Sequence, residues 1–324
     1  MDERMCTEPA RTVAGVDLGG TKIQTVVARN GVVVGRARQT TPDSGADDVA
    51  EAVAESVRRA IDDAGSPGPG LLAVGIGAPG RIEGGVVSHG PNIAGLKEPF
   101  PLGPAVSGSL GGVPVLLDND VSVATLGELR RGAGRPFRSL LGVFVGTGVG
   151  GGLVMDGELW KGRGAAAEIG HVTVKPEGRR CGCGGRGHLE AYAGRAGMEA
   201  KARRAAAGGK PTVVFDLMAE RGRDRMTSGI IARALDRDDE LAAELIDEAV
   251  WALGLALATA QNLLDIEAIV LGGGLAERFG QPFVDRVADE LRPRLFVPDH
   301  PPAVLAAELG DLSGAIGALV LAGG

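Results

Sequence analysis

The sequence predicts an α/β protein of two domains, and three observations carry that expectation. The chain has 324 residues, about two domains at roughly 100–200 residues each. Short apolar strands alternate with amphipathic helices along its length. A strand, glycine turn, strand, tight turn, strand pattern occurs near the N-terminus and again near Leu140. Its two hairpin glycines, Gly31 and Gly157, lie 126 residues apart. A weak duplication of that kind implies two related halves.

The first pattern runs from Thr12 to Arg38. Val13-Ala14-Gly15-Val16 leads into Asp17-Leu18-Gly19-Gly20-Thr21-Lys22 and then into Ile23 to Ala28. Asn30-Gly31 is a strong hairpin signal, and Val32 to Val34 form the next strand. Val49, Val53, Val57 and Ile61 recur every fourth residue and predict an amphipathic helix starting near Ser44. Ser66 to Gly70 reads as a loop before a buried strand, Leu71 to Ile76. A strand over Val113 to Leu117 ends at Asp118-Asn119-Asp120, and a helix follows to Arg131. The second pattern has a strand at Leu140 to Val145, a glycine turn at Gly146 to Gly152 and a strand at Leu153 to Met155. Asp156-Gly157 takes the hairpin role of Asn30-Gly31. Asp239 to Leu264 reads as one long helix. Ala268 to Leu271 is a buried strand running into Gly272-Gly273-Gly274, and Ser313 to Ala322 is a small apolar helix.

Composition removes several function classes. Lys plus Arg is 34 against 41 Asp plus Glu, a net charge of −7, which disfavours a nucleic-acid binder. At 44% hydrophobic and 23% charged the chain can bury a sizeable core, so disorder is excluded as its main state. The 54 glycines follow no Gly-X-Y period. Residues 1–11 lack the apolar stretch of a signal peptide, and no run approaches the ~18 apolar residues of a membrane span. Three cysteines do not make a disulfide scaffold. Two of them form Cys181-Gly182-Cys183, which suits a metal in a reducing compartment. The expected location is cytoplasmic.

Gly75-Ile-Gly77-Ala-Pro-Gly80 and Gly146-Thr-Gly148-Val-Gly-Gly151 both match Gly-x-Gly-x-x-Gly. A dinucleotide site needs that motif between strand and helix, and both run instead into strand-like sequence. No Gly-x-x-x-x-Gly-Lys-Ser/Thr is present, so a P-loop is excluded. Each turn reads equally as a plain hairpin or as a nest of N–H groups for a phosphate; duplication shifts the balance towards phosphate. Asn119-Asp120 stands where a strand ends and a helix starts, the place where open α/β folds bind ligands. A helix N-cap is the simpler role for Asp120 taken alone. Glu168-Ile-Gly-His171 and Glu190 add acceptors of the kind a polyhydroxylated ligand needs.

His171, Cys181, Cys183 and His188 fall within 18 positions, at spacings of 10, 2 and 5. Zinc favours tetrahedral N/S sites of this composition, and the glycine-rich loop offers no apolar packing to explain itself. The alternative is two reduced surface cysteines beside two histidines.

These residues resemble the ROK sugar kinases, and among them the bacterial ATP-dependent glucokinases, over nearly the whole chain. Asp17-Leu-Gly-Gly-Thr-Lys22 is similar to that family's first phosphate motif, and Gly146-Thr147-Gly148 to its second. Leu117-Asp-Asn-Asp120 resembles the segment ending in the catalytic Asn-Asp pair. Glu168-Ile-Gly-His171, Cys181-Gly-Cys183-Gly and Glu190 resemble the sugar and zinc signature, and Gly75 to Gly80 with Pro91-Asn92 a segment lining the sugar.

The resemblance implies an actin-like, ribonuclease-H-like fold with an interdomain cleft. It divides the chain into a domain of residues 1–118, joined by a C-terminal helix within 311–324, and a domain of residues 119–310. It implies Asp120 as the base that takes the proton of a sugar 6-hydroxyl while that oxygen attacks ATP, with Mg²⁺ neutralising the phosphates. Gly80, Asn92, Asn119, Asp120, Glu168, His171 and Glu190 would hold glucose or a related hexose. Asp17, Gly19, Gly20, Thr21, Lys22, Gly146, Thr147 and Gly148 would hold the phosphates, and Gly273 and Gly274 would lie near the adenosine. A structural Zn²⁺ would take His171, Cys181, Cys183 and His188, the last where the family usually has a third cysteine. Leu96 stands where many members have a Trp at the rim of the sugar pocket. Members are commonly dimers or tetramers, so a homo-oligomer is expected. Some are sugar-sensing repressors, but only about a dozen residues precede Val13. That is too few for a helix-turn-helix module, so the expectation is an enzyme without nucleic-acid or membrane partners.

Overall fold

A computed structural model describes residues 11–65, 70–90 and 93–324. Most of the expected loop at 66–70, and nearly all of the N-terminal segment read for a signal peptide, lie outside them. The described chain forms two compact units.

The first unit runs up to Arg131 and takes in residues 162–165 and 311–324. It opens with β1 (Thr12–Leu18), β2 (Lys22–Arg29) and β3 (Val32–Thr40), joined antiparallel. Asn30 and Gly31 have φ of 49° and 77°, the left-handed pair that a type I′ turn requires. Helix α1 (Ala46–Asp63) buries Val49, Val53 and Val57, the face its four-residue period predicts. Next come β4 (Leu71–Ala78), a small hairpin of β5 (Arg81–Glu83) and β6 (Val86–Ser88), and helix α2 (Leu102–Ser109). Strand β7 (Val115–Asn119) and helix α3 (Asp120–Arg131) follow. The sheet order is β3-β2-β1-β4-β7, with β4 parallel to both β1 and β7.

The second unit repeats this plan. Strands β8 (Leu140–Val145), β9 (Val149–Met155) and β10 (Glu158–Leu159) are antiparallel, and Asp156 and Gly157 again have φ of 53° and 82°. A helical layer follows: α4 (Glu190–Ala193), α5 (Arg195–Ala207), α6 (Val214–Glu220), α7 (Ser228–Leu235) and α8 (Glu240–Leu264). Strand β11 (Ala268–Gly272), helix α9 (Gly273–Leu291), which kinks at Gly280, and β12 (Ala303–Ala306) complete it. The order β10-β9-β8-β11-β12 matches that of the first sheet strand for strand, with β11 parallel to both β8 and β12. Leu245, Leu253 and Leu257 of α8 lie in the core with Ile269 and Leu271 of β11. The Asp239 carboxylate caps α8 by accepting from Ala242 N at 2.8 Å.

Two expectations are corrected here. The glycine turn expected over Gly146 to Gly152 is much shorter, because Gly150, Gly151 and Gly152 are paired in β9. A Cβ on Gly151 would stand 2.4 Å from Ala167 O, so this strand needs glycine for the close approach of its neighbour. The expected division at 118/119 also moves, since α3 belongs to the first unit. Helix α10 (Ser313–Leu321) is the reason. Ser313 Oγ donates to Glu128 Oε1 at 3.0 Å, a buried bond that ties α10 to α3. Helix α10 also lies directly on β4, where a Cβ on Gly75 would meet Ala318 O at 1.8 Å. No helix among the described residues is long and apolar enough to cross a membrane.

Candidate active site and metal centre

The first unit gathers carboxylates at the ends of β1 and β7. Gly19 N donates to Lys22 O at 2.9 Å, closing the turn after β1, and Thr41 Oγ1 donates to Gly19 O at 2.6 Å. Gly20 and Thr21 are exposed at its tip. Asp17 precedes the turn. Burial pushes its carboxyl up to about 7, with the charge of Asp120 adding to the rise, Lys22 opposing it and Asp311 reinforcing it. Lys22 is committed to Asp311 by an ion pair, and its Nζ also donates to Gln24 Oε1 at 3.1 Å.

Asn119, not Asp120, caps α3. Its Oδ1 accepts from Val121 N at 3.0 Å and from Ser122 N at 3.2 Å, while its Nδ2 donates towards Gly80 O at 3.4 Å. The capping role that residue type allows to Asp120 therefore falls one residue earlier. Asp120 becomes the first residue of the helix, its Oδ1 accepting from Val121 N at 2.9 Å. A carboxylate there is favoured by the helix dipole. Asn92 lies outside the described residues. Leu96 is fully buried in the first unit's core, which removes it from any pocket rim.

The second unit brings the four expected metal ligands together. One ligand atom each from His171, Cys181, Cys183 and His188 lies within 4.8 Å of every other. Cys183 Sγ stands 3.2 Å from His188 Nδ1, and Cys181 Sγ 3.9 Å from His171 Nδ1. Two thiols and two imidazoles at these separations need only small shifts to reach tetrahedral zinc, with bonds of about 2.0–2.3 Å. Burial holds the Cys181 thiol up at about 12, and a bound cation reverses this by taking the thiolate. The donor set fits zinc.

Glu190 joins this cluster to the second glycine turn. Its Oε2 accepts from Val149 N at 3.1 Å, and Cys181 Sγ lies 3.4 Å from its Oε1. A Cβ on Gly148 would stand 2.2 Å from Glu190 Oε2, so any larger residue there would displace that carboxylate. Glu168 Oε2 lies 3.9 Å from His171 Nε2, so the His171 ring faces the cluster with one nitrogen and Glu168 with the other. The turn itself is closed by Gly146 N donating to Gly148 O at 2.9 Å. Arg195 N and Ala196 N, at the start of α5, donate to Gly146 O and Thr147 O. Gly273 has φ of 79° and, with Gly274, opens α9 beside Val145.

Four residues that spacing did not single out support this arrangement. Arg179 N donates to Tyr192 Oη at 3.0 Å, the Arg179 guanidinium stacks 4.6 Å over the Tyr192 ring, and Glu248 pairs with both Arg179 and Lys201. Together they anchor the loop 179–188 to α8. Glu248 lies 69 residues from Arg179, and no sequence pattern marks the pair.

The comparisons agree with the geometry. The ROK family profile matches residues 13–324. The chain is 34% identical over 316 residues to a glucokinase of Streptomyces coelicolor, covering 95% of this chain and 96% of that one. It is 31% identical over 309 residues to an N-acetylmannosamine kinase of Haemophilus influenzae, covering 94% and 92%. A ROK glucokinase of Streptomyces griseus, solved with glucose and AMPPNP, superposes with a TM-score of 0.79 at 32% identity, covering 96% and 99%. The duplicated α/β units are those of the actin-like fold, and the chain belongs to the ROK family.

Proposed function

We propose that this protein is an ATP-dependent hexose kinase that phosphorylates the 6-hydroxyl of glucose. The observation that carries the reading is the β7–α3 junction. Asn119 takes over the helix cap there, and the Asp120 carboxylate stands in the first turn beside the half-buried Asp17. This supports a base role for Asp120, since phosphoryl transfer depends on positioning and electrostatics. Similarity to the glucokinases supports glucose as the acceptor.

In this mechanism Asp120 accepts the proton of the sugar 6-hydroxyl as its oxygen attacks the γ-phosphorus of MgATP. The new O–P bond forms as the bond to the β-phosphate oxygen breaks, ADP leaves, and the proton passes from Asp120 to water. The N–H groups of the turns 19–22 and 146–148 orient the phosphate chain. Glu168 and Glu190 accept hydrogen bonds from the remaining hydroxyls, and His171, with its other ring nitrogen turned to the metal cluster, donates one. Bound zinc would supply no chemistry to the transfer; it would hold the loop 179–188, and His171 with it.

The test is a coupled ADP-release assay over a panel of hexoses. Glucose should be the best acceptor, and ADP release without any sugar would overturn the reading. A second reading, an N-acetylhexosamine kinase, is favoured by the 31% identity to the N-acetylmannosamine kinase. Faster turnover of N-acetylmannosamine than of glucose in the same panel would select it.

A further inference from the structure

A cavity of about 450 Å³ opens in the second unit, where β11 gives way to α9. Its walls include Arg195, Ser228, Gly229, Gly274, Glu277 and Arg278. Every residue lining it is charged, hydroxylic or glycine. The two arginines outnumber the one carboxylate, and the positive ends of helices α5, α7 and α9 start around the same space.

Arg195 is the best-placed of these groups. Its Nη2 donates to Thr147 Oγ1 at 3.3 Å, on the second glycine turn. Its Nη1 lies over Gly274, so close that a Cβ there would stand 2.9 Å away. The guanidinium therefore spans from the turn 146–148 to the start of α9. Burial lowers its proton affinity and Glu277 only partly opposes that, which is the situation an anionic ligand relieves.

Resting on the nucleotide reading given above, we propose that Arg195 binds the phosphate chain of a nucleoside polyphosphate donor between the turn 146–148 and Gly274. A planar guanidinium holding Thr147 with one nitrogen still has donors for two phosphate oxygens, an arrangement suited to bidentate contact. The cavity beyond it then receives the nucleoside end.

Calorimetric titration of the full chain with adenosine, AMP, ADP and AMPPNP tests this in the native protein, in Arg195→Ala and in Arg195→Lys. The alanine variant should bind adenosine as the native protein does, and lose about ten- to hundredfold in affinity for ADP and AMPPNP. The lysine variant should recover part of that loss, because it restores charge without the fork. In turnover, the KM for ATP should rise while the KM for hexose stays unchanged. Equal losses for adenosine and ADP, or no loss for ADP, would overturn the role of Arg195 and leave the nucleotide reading standing. A native protein that binds none of the four would overturn both.

Discussion

Two residues before its glycine turn, the first unit has Asp17; two residues before its own turn, the second has Phe144. In each unit a glycine α-carbon packs on that side chain, Gly314 on the Asp17 carboxyl and Gly272 on the Phe144 ring. The sheets have the same strand order and the same hairpin geometry. What differs is the chemistry hung on them. The first unit concentrates Asp17, Asp120 and Asp311 around one lysine, whereas the second arranges thiols, imidazoles and a guanidinium around Glu190. A duplicated scaffold thus keeps its hydrogen-bonded frame and varies the strand ends, where side chains are least needed for packing.

The comparison is broken most severely at Asp120. Asp120→Asn should lower kcat by about 10²–10⁴-fold while sugar KM stays within about tenfold, because the amide keeps the contact but cannot take a proton. A steady-state assay that shows turnover within tenfold of the native rate would move the base elsewhere.

Asp17 tests whether the first unit gives up stability for its charge. Its folded carboxyl titrates near 7, above the unfolded value, so the folded state holds that proton more tightly. The contribution of this group to stability is therefore full below about pH 4 and is lost as pH rises through 7. Asp17→Asn, measured without nucleotide or Mg²⁺, should stabilise the protein at pH 8 by up to about 4 kcal/mol. The gain should shrink towards zero near pH 4. Denaturant unfolding at the two pH values would expose a flat difference, which removes the buried charge from the account.

In the second unit the metal cluster carries the contrast. His188→Ala should weaken zinc binding by roughly tenfold or more, the scale that changes outside the ligand shell already reach. His188→Cys should retain it, since nitrogen or sulfur completes the tetrahedron. Zinc per chain after dialysis against a mild chelator measures both; full retention in His188→Ala would reassign the fourth ligand. Loss of metal should also raise sugar KM, because Glu190 and His171 lean on the same loop.

The smallest effect belongs to the exposed ion pair of Arg38 with Asp311, 3.5 Å apart. Arg38→Ala should change stability by no more than about 1 kcal/mol. That difference should fade in molar salt, as thermal melts at two ionic strengths would show.

Much of this arrangement was legible in the residues because local chemistry decides it. Asn30-Gly31 and Asp156-Gly157 can both enter the left-handed region, so both hairpins follow from composition alone. The four metal ligands lie within 18 positions of one another, and short spacing suffices to find them. Features set by distant contacts were not legible. Gly150 to Gly152 read as a turn, and only the approach of Ala167 and Ile169 shows why the strand needs glycine at Gly151. The placement of α3 depends on a bond from Glu128 to Ser313, 185 residues away. Arg195 stood in an alanine- and glycine-rich stretch, and its meaning comes from Thr147 and Gly274, brought to it by two other segments.

The docking of α10 on β4 also has a consequence for how the chain is made. The second unit is nearly continuous in sequence, 132–161 and 166–310, and its core needs nothing synthesised later. The first unit begins the chain, yet the helix that lies against Gly15 and Gly75 is residues 313–321. During vectorial synthesis its sheet therefore waits, with the α10 face of β1 and β4 uncovered, until residues 313–321 have emerged. Domains usually fold as they leave the ribosome, N-terminal first. Here the order is inverted: the half made first is the half finished last, and the interval in which that strand surface stays open is when the protein is most exposed to aggregation.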